Sequence, residues 1–101
     1  MMHRIYKKRE YVIYASESGY IVQNILMKDF AHTHLDNLKT AKLIVNLSLN
    51  KRVPRHLSDY LLISLVRVNN DEKYVRQINE TLENKRKKEQ YYNINKGVRN
   101  G

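Results

Sequence analysis

The chain has 101 residues, no cysteine, one proline and three glycines, and its 19 Lys and Arg against 10 Asp and Glu give a net charge of +9. This length supports one small hydrophobic core, and the missing cysteines exclude disulfides, thiol nucleophiles and Cys-ligated zinc. No apolar run approaches the roughly 18–20 residues of a membrane-spanning helix, and the basic start MMHRIYKKRE leads into no apolar segment or small-residue cleavage site, so the expected setting is the cytosol with no membrane contact.

In chain order, residues 1–27 read as a basic arm running into a β-hairpin. Tyr11, Ile13 and Ala15 alternate with Val12 and Tyr14 in a β-branched and aromatic run. Ser16-Glu17-Ser18-Gly19 supplies turn chemistry, and Tyr20–Leu26 forms the return strand. Residues 28–35 carry no period and are expected to be irregular. Asp36 or Asn37 then suits a helix N-cap, and Leu38, Ala41, Val45 and Leu49 recur at helical spacing up to about Asn50.

After the loop Lys51-Arg52-Val53-Pro54, a second helix is expected over residues 55–68, opened by Pro54 and carrying Leu57, Leu61, Leu62, Leu65, Val66 and Val68. Asn69-Asn70-Asp71 makes a short break and a cap, and Glu72 suits the first turn of a third helix. Its apolar stripe is Tyr74, Val75, Ile78 and Leu82; the continuation to residue 90 is polar, and residues 91–101 read as a frayed tail. The expected class is therefore α+β: an N-terminal β-hairpin followed by three α-helices over residues 36–90, in one small domain.

The charge is not spread evenly. It gathers at Arg4, Lys7, Lys8 and Arg9, at Lys51, Arg52 and Arg55, and at Lys85, Arg86, Lys87 and Lys88, with Lys96 and Arg99 beyond. Basic clusters of this kind attract an anionic partner, because each cation set against a phosphate releases counterions. Tyr6, Tyr11, Tyr91 and Tyr92 lie among the clusters, and tyrosine rings can stack on unpaired bases. These eleven residues from Arg4 to Lys88 are the candidate anion-binding set; solubility of an ordinary polar surface is the competing explanation.

Other constellations are weaker. The second and third helices resemble a helix-turn-helix in outline, but Asp71 and Glu72 occupy the end that would meet DNA phosphates. His32-Thr33-His34, with His3 and His56, lacks metal-ligand spacing and reads as structural. No nucleophile elbow or phosphate-binding glycine loop is present, and the carboxylates of Glu80 and Glu83 are expected on a solvent-facing surface, so no enzyme activity, cofactor or metal is expected. The two apolar strands leave an edge or tyrosine face that allows a homodimer through β-pairing.

The stretch from Lys39 to Tyr74, KTAKLIVNLSLNKRVPRHLSDYLLISLVRVNNDEKY, resembles small uncharacterised proteins carried by phages and mobile elements of low-GC Gram-positive bacteria. In those, a hairpin and a His-Thr-His loop similarly precede the two motif-bearing helices. The shared positions are mostly core and cap, so the resemblance implies a fold and a setting rather than a residue with a role. That setting is the host-cell cytosol, among accessory proteins that act on nucleic acid or inhibit host and defence machinery. The expected function is non-enzymatic binding of an anionic macromolecule, nucleic acid first, with inhibition of an acidic or nucleic-acid-processing host protein as the alternative.

Overall fold

A computed structural model describes the backbone of residues 2–100 and the side chains of residues 2–29 and 31–89. Four strands come first: β1 (His3–Lys8), β2 (Tyr11–Ser16), β3 (Gly19–Asn24) and β4 (His32–Leu35). They form one antiparallel sheet in the order β1-β2-β3-β4. Three helices follow: α1 (Leu38–Asn50), α2 (Asp59–Arg67) and α3 (Glu72–Asn100).

The expected hairpin is thus corrected to a four-stranded sheet, of which residues 11–24 are only the middle pair. What reads as a basic arm is the edge strand β1. Its side chains are exposed except for half-buried Tyr6, so it carries no apolar period to announce it. The turn into β2 is Arg9-Glu10, with Arg9 at φ 53°, a left-handed conformation usually signalled by Gly or Asn. The supposedly irregular segment 28–35 holds a short 3-10 turn at Lys28–Phe30 and then β4, which buries only Thr33 and Leu35. A strand of four residues with two inward positions is too short for alternation to be diagnostic.

Two helix boundaries also differ. The second helix starts at Asp59, not at residue 55, because the Ser58 side chain accepts from the Leu61 N–H and caps it. Pro54 instead sits in a turn whose carbonyl accepts from the Leu57 N–H. The backbone of α3 is helical to Asn100, through most of the segment read as a tail; Gly101 lies outside the described residues. The remaining caps match expectation: Asn37 accepts from the Thr40 N–H, and Asp71 accepts from the Tyr74 N–H.

All three helices lie on one side of the chain's hydrophobic core. Helix α1 packs on β2, β3 and β4, α2 packs on β4 and α1, and α3 packs on α2. The inward rows of the sheet contribute Tyr11, Ile13, Val22 and Leu35, which meet Ala41, Ile44 and Val45 of α1, Leu62 and Leu65 of α2, and Tyr74, Ile78 and Leu82 of α3. Gly19, at φ 142°, lets β3 run beside β4: a Cβ there would come within 2.7 Å of the Leu35 carbonyl oxygen.

Buried polar groups tie the layers together. The Tyr11 hydroxyl donates to Asn69 Oδ1 at 2.7 Å, and Asn69 Nδ2 donates to Ser48 Oγ at 2.9 Å and to the Leu65 carbonyl at 2.8 Å. Asn24 Nδ2 donates to the Val68 carbonyl at 3.0 Å, and Thr33 donates to Ser64 Oγ at 2.9 Å. The Tyr74 hydroxyl lies 2.7 Å from the Arg52 carbonyl and 3.1 Å from that of Leu47. Among the described residues no buried side-chain N or O lacks a partner, as the cost of an unmade buried bond requires.

Burial pushes the Tyr11 and Tyr74 phenols above their ordinary value. A folded-state pKa raised above the unfolded one gives stability that is intact below the unfolded value, about pH 10 for tyrosine, and lost as pH climbs beyond it. Unfolding followed by circular dichroism should therefore show stability independent of these phenols up to about pH 10, then falling. Phenolate absorbance from both rings should rise together with unfolding. Tyr11→Phe should destabilise by about 1–3 kcal/mol at neutral pH, since it strips the donor from buried Asn69, and should flatten the alkaline decline.

Candidate nucleic-acid interface

The three basic clusters meet different fates in the fold. Lys51 is the C-cap of α1 at φ 52°, and its backbone N–H bonds back to the carbonyls of Leu47 and Ser48. Its ammonium stands 5.2 Å from the centre of the Tyr74 ring and 3.9 Å from an Asp71 carboxylate oxygen. The Tyr74 N–H, and then the charge of Lys51, hold the Asp71 carboxyl below its ordinary value. Lys51 thus closes the junction between α1 and α3. The Arg52 carbonyl serves the same junction by accepting from Tyr74, while the Arg52 side chain stays exposed.

Lys85 has a second structural duty. Its ammonium donates to the Leu57 carbonyl at 2.6 Å and pairs with Asp59 at 3.0 Å, fastening α3 to the start of α2. That contact draws two clusters together. Arg55, from the loop before α2, and Lys85 and Lys88, from α3, line one open cleft of about 360 Å³ with Thr81 and Asn84. No acid lines it. Arg55 and Lys88 make no ion pair among the described residues, whereas Lys87 pairs with Glu83 at 3.5 Å one turn away. Arg86 is exposed on α3.

Thr81 and Asn84 were not among the sequence candidates. Residues 81, 84, 85 and 88 stand at helical i, i+3, i+4 and i+7 spacing, so this polar stripe is legible in a third helix that runs on toward residue 90. What could not be read was that Arg55 would fold against it, because helix α2 was expected to begin at that residue.

The first cluster is separate from this cleft in the fold. Arg4, Lys7 and Lys8 lie in β1, and Arg9 in the turn that follows it, all exposed. The side chains of Tyr91, Tyr92, Lys96 and Arg99 lie outside the described residues. His32 and His34 stand side by side in β4, ring centroids 5.2 Å apart and edge to face, rather than in an irregular loop. Among the described residues no group of three or more His, Asp or Glu could hold a metal ion. Among the same residues no helix is long and apolar enough to cross a membrane.

Compared with protein-family models, with curated proteins and with solved structures, the chain shows no match.

Lys85 and Lys88 separate the structural cation from the available one. Lys85→Ala should destabilise by roughly 1–2 kcal/mol, the range between an exposed ion pair and a charged hydrogen bond. Lys88→Ala should change stability by no more than about 0.5 kcal/mol. Urea denaturation of both variants checks this; equal losses would contradict it.

Proposed function

We propose that this chain is a non-enzymatic accessory protein, of the phage or mobile-element kind its sequence resembles, that binds nucleic acid through phosphate contacts. One observation carries the reading: Arg55, Lys85 and Lys88 converge on a single cleft that no acid lines among the described residues, so that charges 30 residues or more apart in sequence act at one place. Lys85 is fixed by Leu57 and Asp59, and it leaves Arg55 and Lys88 as the cations available to a ligand. Asn84 adds an amide donor for a phosphate oxygen, while the Thr81 hydroxyl donates to the Gln77 carbonyl at 2.9 Å.

Contacts of this type supply affinity and position without reading sequence. The arginine offers a planar, forked pair of donors, and the lysine a compact charge on a flexible stem. Their joint effect is a salt-sensitive hold on a polyanion. Arg52, Arg86 and the β1 cations widen the positive surface that steers such a partner in.

Binding of a labelled oligonucleotide, followed by anisotropy across a salt series, tests the reading. The logarithm of the affinity should fall linearly with the logarithm of salt concentration. The double variant Arg55→Ala, Lys88→Ala should weaken binding and reduce that slope by about 2, one for each lost phosphate contact. Affinity that stays flat between low and moderate salt would overturn the phosphate reading and turn attention to a protein partner.

A further inference from the structure

The face of the sheet turned away from the helices is built in two rows. Paired residues of an antiparallel sheet project to the same side. The register places Arg4 opposite Tyr14, Tyr14 opposite Ile21, and Ile21 opposite His34. A second row runs Lys7, Val12, Gln23, His32. Each row crosses all four strands, starting with a cation on β1 and ending with a histidine on β4.

A bulge makes this arrangement. Arg4 and Lys7 are three residues apart and would face opposite sides of a regular strand. The register slips by one residue between Arg4 and Tyr6, so Ile5 is the extra residue and both cations emerge on one face. Were Ile5 paired in regular alternation rather than bulged, position 4 would point toward the helices.

The floor of this face is apolar and its surroundings are polar. Val12 is 2% exposed although it points away from the core. Beside it, Met2, Tyr14, Ile21, Gln23 and His32 line a shallow depression of about 310 Å³. Neither row contains an Asp or Glu, and Arg4 and Lys7 make no ion pair among the described residues. A face with an open ring, an amide, two uncommitted cations and no acid complements a strand with bare bases and a charged backbone.

We propose that this outer face binds single-stranded nucleic acid. The inference rests on the phosphate-binding reading above and specifies the form of nucleic acid. An unpaired base stacks on the half-buried Tyr14 ring, over the apolar floor of Val12 and Ile21. Gln23, at the centre of the second row, offers a donor and an acceptor to a base edge. Arg4 and Lys7 take the phosphates on the β1 side. A paired duplex hides its base faces and cannot use the ring, so the face prefers single strands.

Matched single-stranded and duplex oligonucleotides, titrated against the intact chain, test this. Tyr14→Ala should weaken single-strand binding about tenfold, within the range of one lost base stack, and should leave duplex binding unchanged. Tyr14→Phe keeps the ring and should bind as the parent does. The double variant of Arg55 and Lys88 should weaken both forms, which separates this inference from the phosphate reading it rests on. Equal loss on both forms, or no loss from Tyr14→Ala, would overturn the stacking inference alone. Loss of salt-sensitive binding to both forms by the parent chain would remove both. Photo-crosslinking of the parent to a bromouracil-substituted strand gives an answer independent of any variant's folding. Crosslinks in β2 to β4 support the proposal, and crosslinks confined to α3 overturn it.

Discussion

The Tyr11 hydroxyl reaches from the second strand of the sheet into the junction where α1, α2 and α3 come together. Its acceptor, Asn69, also donates to Ser48 in α1 and to the last turn of α2. Asn24 on the neighbouring strand donates to Val68, next to Asn69. A single buried amide thus fixes the sheet against two helices and sets where α3 departs. Net, each such bond contributes only about 1 kcal/mol, but each partner left alone in the interior costs about 1–3 kcal/mol. The cluster specifies one arrangement more strongly than it stabilises it.

From that anchoring follows which cations remain for a ligand. With every helix drawn to the inner face, Lys51 falls against Tyr74 and Asp71, and Lys85 against Leu57 and Asp59. Both are spent on holding α3 in place. Arg55 and Lys88 stand beside Lys85 without ion pairs, and the sheet's outer face, away from every helix, keeps Arg4 and Lys7 free. A net charge of +9 is then a poor guide to the interface. Position in the fold divides cations of equal formal charge into structural and available ones.

Much of this was legible in the sequence where side-chain period and capping chemistry agree. Asn37, Asp71 and the stripes of α1 and α3 come through because a cap and an apolar face mark the same element. The sheet was half legible. Strands β2 and β3 are rich in Tyr, Val and Ile, but β1 is an edge strand with Lys or Arg at half of its positions. Such edges discourage pairing between molecules, and they also hide the strand from a reading based on apolar alternation. Pro54 suits a helix start, but α2 begins after Ser58, because a side-chain cap satisfies a helix N–H and a proline merely tolerates the position. Of the candidate site, the eleven cations were all visible. Their grouping was not, since it depends on a turn after Pro54 and on one bulged residue, Ile5, that turns Arg4 to the side of Lys7.

The central claim is that the fold leaves two surfaces for a single-stranded polyanion: the outer sheet face and the cleft of Arg55 and Lys88. Amide-shift mapping by NMR during titration with a single-stranded oligonucleotide tests it most directly. Shifts should concentrate in β1 to β4 at the outward-facing positions Lys7, Tyr14, Gln23 and His34, and around Arg55, Asn84 and Lys88, with Ala41, Ile44 and Leu65 in the core unmoved. Shifts confined to the exposed face of α2 at Tyr60 and Ile63, or an unchanged spectrum at low salt, would contradict the account.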